Sequence, residues 1–145
     1  MNCSTLRSEH KQKSLKNVTT ILKEVHSPAD VDNRKFDLIV SVMTFHHIGD
    51  VQAAISLLAS LLKPSGKLFI FDLMKSDISN LFHSHHAHQH AGVHHMGGFT
   101  EEEMQVMFGK AGLKDVQAVE AFRHDKDTEE GTKQFAILLS MGTKE

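Results

Sequence analysis

Two apolar runs bracket one amphipathic helix in this chain, and that order constrains the fold more than any other feature. Phe36-Asp37-Leu38-Ile39-Val40-Ser41-Val42 is almost continuously apolar, the pattern of a strand covered on both faces, as in a parallel sheet. Asp50 stands where an N-cap accepts the first free N–H groups of a helix, and Val51, Ala54, Ile55, Leu58, Leu61 and Leu62 recur behind it at helical spacing. Lys63-Pro64-Ser65-Gly66 stops that helix, and Lys67-Leu68-Phe69-Ile70-Phe71-Asp72 supplies a second buried strand. Strand, helix and strand in this order imply a right-handed crossover and a parallel pair, so the fold class is α/β.

The flanking segments carry weaker signals. Leu6 to Lys16 reads as a weak helix, and the β-branched run Asn17-Val18-Thr19-Thr20-Ile21-Leu22 as a strand. Residues 76–98 show no periodicity and hold seven of the twelve histidines, which reads as a long loop or partly helical lid. Thr100 and Glu103 form a capping box ahead of Met104, Met107, Phe108 and Ala111, and Gly112 supplies the stop. Val116 to Phe122 and Lys133 to Met141 read as two strands of an antiparallel hairpin, joined by the polar stretch Arg123 to Thr132.

A chain of 145 residues suits one domain, 1–145. Its net charge of −2 creates no field toward nucleic acid or an anionic membrane. No apolar run approaches the roughly 20 residues that cross a bilayer. The one cysteine, Cys3, has no internal disulfide partner, and the charged first residues do not form a signal peptide. A cytoplasmic protein is the expectation.

Phe36 to Ser41, then Phe45-His46-His47-Ile48, a helix, Leu62-Lys63-Pro64-Ser65-Gly66-Lys67-Leu68 and a strand ending in Asp72 together resemble the later half of class I S-adenosylmethionine-dependent methyltransferases, in their small-molecule branch. His94-His95-Met96-Gly97-Gly98-Phe99-Thr100 is similar to the approach to the helix before strand six in some members. The resemblance spans roughly Asn17 to Met141. It implies a partial Rossmann-like sheet, with parallel strands and a C-terminal antiparallel hairpin, lacking the first two strands of a full order 3-2-1-4-5-7-6. It also implies S-adenosylmethionine as cofactor and a small-molecule methyl acceptor. The neighbour of Phe36–Val42 in that order is missing, so its edge invites pairing with another chain, self-association included, or with the Val18–Leu22 strand moved inward.

Cofactor contacts come from the carboxyl ends of parallel strands. By position in the family, Glu24 and Val25 would lie at the adenosine, and Ser41, Val42 and His46 along the methionine part. His47 is a candidate base, because imidazole titrates near neutrality, and His94 and His95 are candidate acceptor contacts. No two of the nine glycines are separated by one residue, so the family's Gly-x-Gly loop, which lets backbone approach the cofactor closely, is absent from this sequence. Two alternatives follow: a shortened, inactive remnant that serves as an interaction module, and a histidine-rich metal-binding protein. The tract with His85, His86, His88 and His90 has no cysteine or carboxylate at fixed spacing, and no built metal site is expected from it.

Overall fold

A computed structural model describes residues 16–83 and 92–145. The chain divides into two units, Met1–Asn33 and Arg34–Glu145. In the first, Pro28–Val31 forms a single 3-10 turn. Its Asp30 accepts N–H groups from His26 and Ser27 at 3.1 and 2.9 Å and the Lys23 ammonium at 3.3 Å. These bonds, the His26 N–H foremost, lower its carboxyl to about 2. The stretch Asn17–Leu22 is not a strand, contrary to its β-branched composition. Such composition records a fit to a pleated, half-buried surface and makes no strand without a ladder. The segment read as a weak helix lies, but for Lys16, outside the described residues.

The second unit holds strands β1 (Phe36–Val42), β2 (Leu62–Leu73), β3 (Leu113–Thr128) and β4 (Gly131–Lys144). Helix α1 (Val51–Ser60) links β1 to β2, and α2 (Glu101–Lys110) precedes β3. The sheet order is β1-β2-β4-β3, with β1 and β2 parallel and both other pairs antiparallel. This is the 4-5-7-6 portion of the order implied by the resemblance. Both helix starts follow their local signals: the Asp50 carboxylate accepts the Ala53 N–H at 2.9 Å, and the Thr100–Glu103 box is closed in both directions.

Both helices pack on one face of the sheet. Ile55 and Ala59 of α1 and Met104 and Phe108 of α2 share a core with Leu68, Ile70, Ala118 and Leu138. Alternation along the strands turns Leu38, Val40 and Val42 to the opposite face, where they are exposed by 51, 49 and 59%. The expectation that β1 is covered on both faces is therefore corrected: one face is buried and the other is apolar and open. At the far end of that face Phe82, in the 3-10 turn Ser79–His83, meets Phe135 edge-on at 5.1 Å. The Lys126 ammonium lies 4.0 Å from the centre of the Phe82 ring and donates to the Phe82 carbonyl. Burial lowers the pKa of this lysine.

Two boundaries differ from the sequence reading. The Lys63–Gly66 stretch does not separate helix from strand, because β2 already pairs with β1 at Leu62. Ser65, at φ 64°, belongs to an irregularity inside the strand. The polar stretch after Phe122 continues β3 as far as Thr128. Cross-strand bonds hold it there, from Gln134 Nε2 to Asp125 at 3.1 Å and from Thr132 Oγ1 to Asp127 at 2.6 Å. Among the described residues no helix is long and apolar enough to cross a membrane.

Gly98 locks the end of the 92–99 segment against β2. Its φ is +72°, and an added Cβ would sit 2.2 Å from the Leu73 carbonyl oxygen. Gly98→Ala is expected to cost about 2 kcal/mol or more and to lower the thermal midpoint by roughly 5–10 °C, read by calorimetry.

Candidate functional site

The carboxyl ends of β1 and β2 lie side by side, with Val42 opposite Phe71. Past β1 the chain turns at Met43, which has φ 51° and donates its N–H to the Phe71 carbonyl at 2.8 Å. Phe45–His47 then forms one 3-10 turn. Asp72, the next residue of β2, is only 1% exposed. A carboxylate this deep is costly unless its oxygens are filled, and here they are. Oδ2 accepts the N–H groups of Phe45 and His46 at 2.8 and 3.3 Å. Oδ1 accepts the Leu73 N–H at 2.7 Å and His46 Nδ1 at 2.6 Å.

Three of those four partners are backbone N–H groups; an ionised carboxylate only accepts, so the tautomer of His46 that completes the set carries its hydrogen on Nδ1. His46 is itself buried, and its carbonyl accepts the N–H groups of His94 and His95 at 3.0 and 2.9 Å. His47 is exposed. Its Nδ1–H donates to the Gly92 carbonyl at 2.8 Å, which leaves the lone pair of the neutral ring on Nε2. The His46 and His47 rings are 4.1 Å apart, and the ring of His83 lies 5.0 and 5.8 Å from them.

Beside this cluster is a cleft of about 650 Å³. Val51, Phe99, Val106 and Met107 give it apolar walls, and Glu102, Glu103 and Lys75 stand among its polar lining residues. Lys75 and Glu103 approach to 3.8 Å. His95 also lines the cleft, and its Nε2 is buried with no hydrogen-bond partner among the described residues.

The residues singled out in the sequence are thus partly assembled. His46, His47, His94 and His95 share one hydrogen-bonded frame, and the His94 ring lies 3.6 Å from the position a Cβ on Gly49 would take. Ser41 and Val42, being consecutive in β1, point to opposite faces: Ser41 to the helices, Val42 to the open side. Glu24 and Val25 belong to the first unit, where exposed Glu24 accepts from His26 Nε2 at 2.9 Å. The tract residues His85, His86, His88 and His90 lie outside the described residues. Among the described residues no set of three or more His, Cys, Asp or Glu is arranged to hold a metal. Sequence reasoning assigned no role to Asp72. The available signal was an acid closing an apolar strand, because a buried carboxylate implies partners.

A family model described as a methyltransferase domain matches residues 6–118. An uncharacterized methyltransferase of Schizosaccharomyces pombe is 39% identical over 88 residues, which are 59% of this chain and 30% of that protein. An O-methyltransferase family protein of Burkholderia thailandensis superposes with a TM-score of 0.67 at 16% identity, over 97% of this chain and 40% of its own. The N-methyltransferase NodS of Bradyrhizobium japonicum, solved with S-adenosylhomocysteine, gives 0.53 at 16% identity, over 99% of this chain and 63% of its own. At such identities the two structures establish a shared fold. This chain spans less than two thirds of the length of each of these proteins.

Asp72→Ala would strand several buried N–H donors at once. A loss of about 3–5 kcal/mol is expected, read as a lower urea midpoint with an unchanged m-value.

Proposed function

Since this chain belongs to the methyltransferase-domain family, we propose that it carries the acceptor side of an S-adenosylmethionine-dependent methyltransferase acting on a small molecule. The observation that supports this reading most is the exposed His47. It stands just past the carboxyl end of β1, its tautomer set by the Gly92 carbonyl and its ring backed by the Asp72-bound ring of His46.

The residues present fit the cofactor unevenly. Backbone at the open end of β1, with Ser41, Val42 and the His46 turn, suits the methionine part. Glu24 and Val25, expected at the adenosine part, belong to the first unit, where Glu24 is an exposed carboxylate that already accepts from His26. No Gly-x-Gly cradle stands in this sequence. When bound, S-adenosylmethionine supplies an electrophilic methyl group on a positively charged sulfur.

The chain's own residues would do the rest. The cleft beside His95 holds an acceptor with an apolar body, against Phe99, Val106 and Met107. The His95 ring forms part of the same wall and packs against that acceptor. His47 is not among the residues lining that cleft; its Nε2 takes the proton of an acceptor whose reacting group extends past the end of β1. Holding acceptor and methyl group in line supplies the remaining advantage. The single cysteine supports placing this activity in the cytoplasm.

Calorimetric titration with S-adenosylhomocysteine tests the reading. Saturable binding supports it, and no heat at millimolar ligand removes it for this chain. With an acceptor in hand, His47→Ala is expected to lower kcat by about 10²- to 10⁴-fold and to leave cofactor affinity unchanged. His95→Ala is expected to raise the acceptor KM.

A second reading, the interaction module, draws on the bare apolar face of β1 and its unpaired edge among the described residues. Open edges of this kind pair with other chains. Concentration-dependent self-association is expected by sedimentation velocity, and Val40→Lys should abolish it. A monomer at every concentration would contradict this.

A further inference from the structure

One buried carboxylate reaches both histidines assigned to the acceptor, by two separate routes. Through Oδ2 it holds the Phe45 and His46 N–H groups at 2.8 and 3.3 Å, and so fixes the turn that ends in exposed His47. Through Oδ1 it holds His46 Nδ1 at 2.6 Å, and with it the ring packed 4.1 Å from that of His47. The His46 carbonyl, on the same fixed turn, then takes the N–H groups of His94 and His95 at 3.0 and 2.9 Å. His95 reaches the cleft from there. The hydrogen bonds of Asp72 go to Phe45, His46 and Leu73 and not to His47 or His95, but the frame of each is set by it.

We infer that Asp72 is the positioning residue of the acceptor side: its carboxylate sets the tautomer of His46 and holds the His47 turn and the 94–95 segment in one frame. The inference rests on the methyltransferase reading given above. A fold anchor alone would need only the backbone bonds to Phe45, His46 and Leu73. The Nδ1 bond is surplus to that task, and it gives a buried imidazole one defined orientation beside two other imidazole rings.

The geometry explains why an isosteric amide would not serve. The three backbone contacts need an acceptor, as does the ring contact with the hydrogen on His46 Nδ1, and Asn at position 72 presents one oxygen and one NH₂ group. Its NH₂ group would meet either the Leu73 N–H and His46 Nδ1–H or the N–H groups of the 45–47 turn. One half of the frame is lost in either orientation, while the volume stays the same.

The test is nitrogen NMR of histidine-labelled protein, with amide hydrogen exchange, on wild type, Asp72→Asn, His46→Asn and His46→Ala. In the wild type, His46 should show a protonated Nδ1 in slow exchange. Asp72→Asn should give His46 mixed tautomers and speed exchange at the His94 and His95 amides roughly tenfold, with helix α1 unaffected. His46→Asn places a side-chain N–H where Nδ1–H stood and should preserve slow exchange at His94 and His95. His46→Ala should lose it. That pair of variants decides the matter even if Asp72→Asn does not fold.

Unchanged His46 tautomer and unchanged 94–95 exchange in Asp72→Asn would overturn the positioning role, as would equal exchange in His46→Asn and His46→Ala. Wild-type protein that fails to bind S-adenosylhomocysteine at millimolar concentration would overturn the acceptor role together with the reading beneath it. The two failures are therefore distinguishable.

Discussion

A carboxylate at the closed end of an apolar strand can be tolerated only if every oxygen lone pair meets a donor, and that requirement organises this structure. Asp72 is buried among N–H groups from its own strand, from the turn after β1 and from the His46 ring. The chain after β1 therefore has to come back over β2. The parallel pairing of β1 and β2 brings the two carboxyl ends to the same level, which makes the return short. The crossover supplied by α1 is what makes the pairing parallel. Fold and site are joined at a single side chain.

The same arrangement explains how the histidines divide their tasks. His46 is buried and bonded at both its ring and its backbone, so it behaves as part of the scaffold. His47, one residue later, is exposed. Its Nδ1–H is taken by a carbonyl on the far side of the 84–91 stretch. His95 lies in the wall of the cleft with a buried nitrogen that has no partner among the described residues, and an unsatisfied buried group of this kind calls for an explanation such as a ligand.

Much of the fold was legible because its signals are local. The Asp50 cap and the Thr100–Glu103 box each specify a helix start within a few residues, and both are formed. Two apolar runs around a helix specify a parallel pair. What escaped was non-local. Val18–Leu22 has strand composition but makes no ladder. The Arg123–Thr128 stretch has loop composition but pairs residue for residue with β4. The open face of β1 could not be read from an apolar run that looks two-sided. Individual site residues were visible as types, His46, His47, His94 and His95 among them. Asp72, which relates them, contacts residues 26 and 27 positions away, and no spacing rule reaches that far.

The central claim is that the ends of β1 and β2, with the 92–98 segment, form one side of a cofactor-dependent methyl-transfer site. The most direct measurement is the change in backbone amide NMR shifts when S-adenosylhomocysteine is added to uniformly labelled protein. The account predicts saturable shifts concentrated at residues 41–47 and 92–98, with α2 beyond Met104 and the β3–β4 turn unmoved. Shifts confined to the hairpin, or none at millimolar ligand, would contradict it.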